Sequence, residues 1–371
     1  MNIEFIHKKE DEDKKRKKNR KNIRKFFKMK ILDDVKLDFN DVLLLPKHSE
    51  YSSRAEVSLE RTFHFKYSPL TWTGVPIIVS NMDTTGTVEM AMELQRHKVL
   101  TCLHKYYTWE QIPEELNPEY YIVSSGIQSR DLENLDEIIL HRNPKFVCLD
   151  VANGYMSKFI EVCQNIRHKY PHLILMAGNV CTSEGVLELV VNGKVDIVKI
   201  GIGNGSCCTT RKQTGIGYPQ FSAVVECSDT AHGIDAHIIS DGGIQVIGDF
   251  SKAYGAGADF VMSGSMFAAH DESGGELVEE RGRLYKIFYG MSSTTAMNKY
   301  AGGVAKYRSS EGKTVKLEYR GPVEDTILEI LGGIRSSMTY LGSKKIKDIG
   351  KCATFIRVNR QLNQIYTGKE I

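Results

Sequence analysis

The chain has 371 residues, of which 41% are hydrophobic, and a formal net charge of +3. This length allows a large core within a single α/β barrel, and no apolar run is long enough to cross a bilayer. Residues 1–30 carry 13 Lys or Arg and five Asp or Glu, a net charge of +8, so the remaining chain carries −5. Electrostatic binding of nucleic acid is therefore expected only from the first 30 residues.

These first 30 residues are predicted to be a disordered basic tail, because so charged a segment buries too little apolar surface to offset the entropy of ordering. The run Lys14–Lys18 also matches a nuclear-localisation or nucleic-acid patch, although a solvated tail is the simpler interpretation. The acidic run Glu10 to Asp13 argues against a mitochondrial transit peptide, and no signal-peptide pattern is seen. The folded body is expected over 31–371, with Met29 as an alternative start.

The eight cysteines are scattered without the rhythm of a disulfide scaffold. In a chain of this length they indicate reduced thiols and a cytosolic enzyme. The sequence contains no C-x-x-C and no H-E-x-x-H, which makes a zinc site unexpected.

Short β-branched runs recur about two dozen residues apart, with helical patterns between them, and this alternation predicts βα units. Eight units favour a closed (β/α)8 TIM barrel, with an open doubly wound sheet as the alternative. A Rossmann domain is rejected because no Gly-x-Gly-x-x-Gly opens a helix early in the chain. The predicted strands are Pro76–Asn81, Leu100–Lys105, Tyr121–Ser125, Phe146–Val151, Leu173–Val180, Asp196–Gly201, His237–Asp241 and Phe260–Gly264.

Glycines follow the last two predicted strands, as Asp241-Gly-Gly243 and Ser263-Gly-Ser265. Phosphate often binds at this position in such barrels, since glycines expose backbone N–H groups to an anion. Either pair alone is explained by ordinary turn glycines, but the two together favour a phosphate site.

The segment Gly201–Arg211 follows the sixth predicted strand and carries Cys207 and Cys208. Its glycines permit positive φ and close approach to a ligand, and a cysteine in such a loop can be exposed and activated. The pattern predicts a loop that does not open a clear helix. Taken alone, a turn with two idle thiols would be the simpler interpretation.

Several motifs, taken in order, resemble the IMP dehydrogenase / GMP reductase family, and the resemblance runs from about Val35 to Arg360. Within the family, the run Tyr307–Thr314 is similar to the reductase branch. The matching motifs are Asn81–Thr84, Leu149–Tyr155, Gly205–Lys212, Gln213–Gln220, Ser240–Gly243, Tyr289–Ser293 and Ala301–Val304.

The resemblance implies a mechanism in which Cys208 attacks C2 of the purine nucleotide as a thiolate. Cys207 matches a packing position of the family. In the reductase branch GMP would lose its 2-amino group as ammonia, leaving a thioimidate, and NADPH would then deliver hydride to give IMP. Thr210 and Glu311 would supply the proton that the leaving amine needs.

The family also implies the binding residues, a mobile active-site flap at about 290–320, and a homotetramer. The substrate set is Asp241, Gly242, Gly243, Gly264, Ser265, Gly290, Met291, Ser292, Arg308, Ser309, Ser310 and Gly312. The NADPH set is Ser53, Arg54, Lys105, Asp150, Val151, Ala152, Ile202, Gly203, Tyr307, Arg308, Ser336, Ser337, Met338 and Thr339, some of them acting across a subunit boundary. A monovalent cation, potassium in the family, would bind the carbonyls of Gly203, Gly205, Cys208 and Arg211.

Two other functions compete with this one. IMP dehydrogenase shares the nucleophile and the barrel, but most members carry two CBS modules after the second strand, where this chain has only Tyr106 to Glu119. The Arg-Tyr base of the dehydrogenase flap also has no evident counterpart. A nucleic-acid-binding protein that uses the basic tail would require a decayed active site, yet Cys208, Thr210 and Glu311 are all present.

Overall fold

Eight parallel strands close into a barrel in the computed structural model, which describes residues 31–307 and 309–359. Each barrel strand pairs with the next, and the last returns to the first, with Val261 opposite Ile77. This closure confirms the predicted (β/α)8 barrel and excludes the open sheet. The predictions for residues 1–30 and for Arg308 lie outside the described residues.

The strand bounds agree with the predicted β-branched runs to within a few residues. In chain order the strands are β1 (Val42–Leu44), β2 (Arg61–His64), β3 (Thr71–Val79), β4 (Val99–Leu103), β5 (Tyr121–Ser125), β6 (Phe146–Asp150), β7 (Ile174–Val180), β8 (Ile197–Ile200), β9 (His237–Asp241), β10 (Phe260–Ser263), β11 (Leu277–Glu280), β12 (Arg283–Tyr289), β13 (Thr314–Glu318) and β14 (Phe355–Arg357). The barrel consists of β3 to β10.

Several helices pack against the barrel strands or one another through a buried face. The first is typical: the Thr87 side chain caps it by accepting from the Met90 amide, and Met90, Ala91 and Leu94 are fully buried against the strands. In chain order the helices are α1 (Val88–Leu94), α2 (Ser129–Arg142), α3 (Ser157–Lys169), α4 (Ser183–Leu187), α5 (Thr210–Thr214), α6 (Gln220–His232), α7 (Gly248–Gly255), α8 (Thr294–Ala301), α9 (Val323–Leu341) and α10 (Ile349–Cys352).

The barrel interior is packed with side chains and is closed at its N-terminal end by the β2–β3 hairpin. Phe63 and Trp72 of this hairpin are buried, and the Phe63 ring stacks on Phe260 with centroids 4.3 Å apart. Because successive side chains of a strand alternate between faces, the other face of each strand packs against the helices. Functional residues are therefore expected at the C-terminal ends of the barrel strands and not in the barrel interior.

Two local features differ from the sequence prediction or were not predicted. The cysteine loop does open a helix, the short α5, which begins at Thr210 directly after Cys208 and Thr209. In addition, β11, β12 and β13 form an antiparallel sheet outside the barrel. Of these, β12 ends directly before the predicted flap at about 290–320, whereas α8 and β13 lie within it. The pairing of β12 with β13 therefore holds the flap at its start and near its end.

Candidate functional site

Several of the predicted functional residues lie at the C-terminal ends of the barrel strands. Asp150 ends β6, the cysteine loop follows β8, Asp241 ends β9, and Gly264 follows β10. These positions meet at one end of the barrel, as expected for a barrel of this type.

The two adjacent cysteines lie in different environments. Cys207 is 4% exposed and packs with Ala268 and Phe288, and burial raises the pKa of its thiol, against a smaller opposing effect of Lys313. Cys208 is only partly buried. Of the two, Cys208 is therefore the thiol that can meet a ligand.

Cys208, Thr210 and Glu311 form a continuous hydrogen-bonded line. The Cys208 thiol donates to Thr210 Oγ1 at 3.2 Å, and the Thr210 hydroxyl donates to Glu311 Oε2 at 2.7 Å. Cys208 and Glu311 are far apart in the sequence, yet a single hydroxyl joins the thiol to the carboxylate. Such a line can carry a proton in either direction between sulfur and carboxylate.

Backbone hydrogen bonds hold Glu311 against the cysteine loop. The Thr209 amide donates to Glu311 O at 2.8 Å, and the Lys313 amide donates to Cys207 O at 2.9 Å. On its other side, the Glu311 amide donates to Ser292 O at 3.0 Å. The segment 311–313 thus bridges the cysteine loop and the 290–293 segment.

Glycine is required at 312 because the backbones approach closely there. A Cβ at this position would lie 2.9 Å from the Ser293 amide nitrogen. The predicted substrate residues Gly290, Met291 and Ser292 belong to the 290–293 segment, between β12 and α8. The Ser310 hydroxyl donates to Ser292 O at 3.3 Å. Ser309 precedes Ser310, whereas Arg308 is outside the described residues.

The predicted phosphate glycines are brought side by side. Gly242 and Gly243 both have φ of +80°, and Ser265 donates to Ile244 O at 3.3 Å, which links the turn after β9 to the turn after β10. A Cβ on Gly264 would lie 3.0 Å from the Met82 sulfur. The Gly242 amide donates to Met262 O at 3.0 Å, so an anion between these two turns would have to be bound by their other backbone amides.

A buried lysine lies beneath the site, and the sequence reading missed it. Lys199 Nζ lies 3.2 Å from Asp150 Oδ1 and 3.4 Å from Asp241 Oδ2, and it donates to Asn81 Oδ1 at 3.4 Å. Burial alone would lower the pKa of Lys199, but the two carboxylates hold that pKa well above its usual value. A charged residue within the otherwise apolar strand Ile197–Ile200 is the sequence signal that could have revealed it.

One group of predicted cofactor residues lies in the loops around this lysine. Asp150 accepts from Asn81 at 2.7 Å, and Lys105 donates to Asp131 at 3.1 Å. Val151 and Ile202 accept backbone hydrogen bonds from the amides of Asn179 and Tyr218. Ala152 and Gly203 extend the same two loops.

The remaining predicted cofactor residues form a second group. Ser53 caps a short 3-10 helix, Arg54–Glu56, that packs on α9, where Ser336, Ser337 and Thr339 lie. Met338 of the same helix is fully buried, and Tyr307 is 94% exposed. Within residues 31–307 and 309–359, no hydrogen bond or ion pair joins this group to Lys105 or Asp150.

The proposed cation ligands are backbone carbonyls of the cysteine loop. Gly205 O and Arg211 O accept from the amides of Cys208 and Gly215, at 3.0 and 3.1 Å, and each carbonyl keeps a second lone pair. Oxygen ligands of this kind suit a hard cation. Within the described ranges no group of three His, Cys, Asp or Glu could hold a metal ion.

The described helices include none that is long and apolar enough to span a membrane.

Known proteins match almost the whole chain after its first 35 residues. A family model described as the IMP dehydrogenase / GMP reductase domain matches residues 36–363. GMP reductase 2 of Homo sapiens is 55% identical over 343 residues, which are 90% of this chain and 98% of the human protein. GMP reductases of Caenorhabditis elegans and Phytophthora infestans are 52% and 53% identical, over 92% and 91% of this chain and 97% and 94% of their own.

Proposed function

We propose that this chain, which belongs to the IMP dehydrogenase / GMP reductase family, catalyses the NADPH-dependent reductive deamination of GMP to IMP and ammonia. The observation that carries the proposal is the line from Cys208 through Thr210 to Glu311. A reductase must protonate a leaving amine, and this line connects a nucleophile to a proton carrier.

In the first step the sulfur of Cys208 bonds to C2 of GMP and the bond from C2 to the amino nitrogen breaks. The thiol proton passes through the Thr210 hydroxyl to Glu311 as the thiolate forms, and it returns by the same path to the departing nitrogen. One proton added to the amino group gives ammonia, so the step balances and leaves a thioimidate on Cys208.

The second step replaces sulfur by hydrogen at C2. NADPH, when bound, supplies the hydride. Cys208 leaves as a thiolate and is protonated again, and IMP is released. Thr210 and Glu311 are not needed to protonate nitrogen in this step, so their removal should slow the first step more than the second.

The surrounding residues are proposed to bind the ligands. Asp241, whose carboxylate is oriented by Asn179 at 2.8 Å, would accept from the ribose hydroxyls. The turns after β9 and β10 would bind the phosphate, and Met291 with Ser292 would contact the purine. Lys105 and Asp150 would contact NADPH.

Assembly and location complete the proposal. The second cofactor group, around Ser53 and α9, would serve a neighbouring copy in a homotetramer, since among the described residues it makes no hydrogen bond or ion pair with Lys105 or Asp150 of its own chain. The loop carbonyls would bind potassium, and the enzyme would work in the cytosol.

IMP dehydrogenase remains the alternative, but it is not favoured. The three relatives compared above are named GMP reductases, and only a loop with one short 3-10 turn joins β4 to β5, where most dehydrogenases carry CBS modules.

The deciding experiment is to follow the NADPH absorbance band with purified enzyme and GMP, and separately to assay XMP formation from IMP and NAD. We expect NADPH consumption coupled to equal amounts of IMP and ammonia. Rapid XMP formation without NADPH consumption on GMP would replace the proposal with the dehydrogenase.

A further inference from the structure

A buried carboxylate outside the predicted site fastens the 290–293 segment to the barrel. Asp83 lies in the loop after β3, and its side chain is 2% exposed. Its Oδ2 accepts hydrogen bonds from the hydroxyls of Tyr289 and Tyr300, the latter at 2.6 Å, and from Lys299 Nζ at 2.9 Å. All three donors belong to the polypeptide that leads into and out of that segment.

The donors flank the segment on both sides. Tyr289 is the last residue of β12 and directly precedes Gly290, whereas Lys299 and Tyr300 lie near the end of α8, which begins right after Ser293. One carboxylate oxygen therefore fixes where the 290–293 segment starts and how the helix behind it is oriented.

This segment in turn positions Glu311. Ser292 O accepts the Glu311 amide at 3.0 Å, and the backbone of Ser293 pairs with that of Gly312. The path from Asp83 to the Glu311 carboxylate consists of the segment and these backbone contacts, to which the Gly290 amide adds a hydrogen bond to Lys313 O at 3.2 Å. A shift of the segment moves the carboxylate relative to Thr210.

The cluster is built around a charged Asp83. Burial alone would raise the pKa of this carboxyl, but its bonds to Tyr289, Tyr300 and Lys299 outweigh burial and lower that pKa. Tyr300 is further held by a parallel stack on Tyr106, with ring centroids 3.6 Å apart. Among the described residues Asp83 Oδ1 has no hydrogen-bond partner, so the three donors converge on the other oxygen.

We propose that Asp83 is a positioning residue for the reaction: it holds the 290–293 segment, and through it Glu311, in line with Thr210 and Cys208. The proposal rests on the proposed function. It assigns no proton transfer and no substrate contact to Asp83, and it places the effect of Asp83 in the step that expels ammonia.

The test is a double-mutant cycle between Asp83→Asn and Glu311→Gln, measured as the single-turnover rate of ammonia release from GMP. Asp83→Asn alone is expected to slow this step by about 10- to 100-fold, because small displacements of a catalytic group have costs of this size. In the Glu311→Gln background the same change should slow it by less than about threefold, because the group being positioned is already lost.

Asp259→Asn is the matched control. Asp259 is equally buried and accepts from Arg61 and His232, but it precedes β10 at the opposite end of the barrel. Its effect on ammonia release should be the same in both backgrounds. If Asp83→Asn slows ammonia release by the same factor in both backgrounds, the proposal is overturned and Asp83 contributes only to the stability of the fold.

Milder variants keep the test decisive if Asp83→Asn does not fold. Tyr300→Phe and Tyr289→Phe each remove one donor hydroxyl and keep the ring. Both should slow ammonia release in the otherwise unchanged enzyme and have little further effect on it in the Glu311→Gln background. If the unmodified enzyme does not release ammonia from GMP, the proposed function fails; if it does and these cycles are additive, only the role of Asp83 fails.

Discussion

The adjacent thiols of Cys207 and Cys208 differ in solvent exposure and in hydrogen bonding. Cys207 packs against Ala268 and Phe288, whereas Cys208 is partly exposed and bonded to Thr210. A nucleophile has to be accessible and has to exchange a proton with a partner, and only Cys208 satisfies both conditions.

Replacing Cys208 by Ala should lower turnover by at least about 10³-fold, because no covalent intermediate can form. GMP binding and the melting temperature should change little. Cys207→Ala is the control, and it should cost about 1 kcal/mol of stability through a small cavity while turnover persists. Steady-state rates and thermal unfolding of the two variants measure this, and an inactive Cys207→Ala beside an active Cys208→Ala would reverse the assignment.

The hydroxyl of Thr210, not its methyl group, should matter for ammonia release. Thr210→Val keeps the shape and breaks the line to Glu311, so ammonia release should slow by about 10²- to 10⁴-fold. Thr210→Ser keeps the hydroxyl and should recover most of the rate. Rapid-quench assays of ammonia release and of hydride transfer to pre-formed intermediate distinguish the steps, and equal slowing of both by Thr210→Val would indicate substrate positioning instead.

His104 should make the stability of the protein depend on pH. Burial lowers its pKa to about 4, against a smaller opposing attraction by Asp83, and its Nδ1 accepts the Tyr106 amide. The unfolded chain binds the proton near pH 6.5 and the folded chain does not, so stability is lost as the pH falls from about 6.5 to about 4.

The variant His104→Phe retains the stacking on Tyr107 and cannot titrate. Above about pH 6.5 the difference in unfolding free energy between the two proteins should be constant. As the pH falls towards 4, the wild type should lose at most about 3 kcal/mol more unfolding free energy than His104→Phe. Urea unfolding over this range measures it, and parallel profiles would contradict the pKa shift.

At the scale of elements, the barrel was predictable because its signal is repetitive. Two strands, Tyr121–Ser125 and His237–Asp241, agree with the prediction to the residue. The antiparallel sheet of β11 to β13 was not predicted, since β12 and β13 are joined through α8 and pair only by long-range contacts. The partners of Lys199 and Asp83 likewise come from distant strands and loops, so the sequence does not show what either side chain contacts.

The cysteine loop should tolerate a side chain at one left-handed glycine and not at another. Gly203 and Gly215 have φ of +78° and +72°, but a Cβ on Gly203 would lie 2.7 Å from Arg211 Cγ and one on Gly215 would meet nothing within 4 Å. Both Ala variants should lose about 1 kcal/mol to backbone strain, and only Gly203→Ala should also lose most of its activity. Comparable activity in the two variants would show that Arg211 moves aside without consequence.

At the scale of the whole molecule, the barrel strands bring several loops to one end, among them those after β6, β8, β9 and β10. The loops differ in sequence and length, while the strands beneath them are buried on both faces. Changes in the loops can therefore alter the site without changing the barrel beneath them.

Removing residues 1–28 should leave activity and assembly unchanged, because the family match begins only at residue 36 and the tail composition favours disorder. The matched control removes residues 1–40 and with them Asp38, which accepts from the Gln220 amide and pairs with Arg211 at 3.2 Å. Sedimentation and turnover of both proteins test this, and loss of the assembly with the shorter deletion would show that the tail is structural.

The bridge between the cysteine loop and the 311–313 segment also has a kinetic meaning. The Thr209 amide donates to Glu311 O and the Lys313 amide donates to Cys207 O. Neither amide can exchange its hydrogen with solvent until the cysteine loop and the 311–313 segment separate. Their deuterium uptake should then follow a single opening rate, and that opening also takes Glu311 away from Thr210. Hydrogen exchange of these two amides therefore measures how often Cys208 is separated from Glu311, its proposed proton carrier.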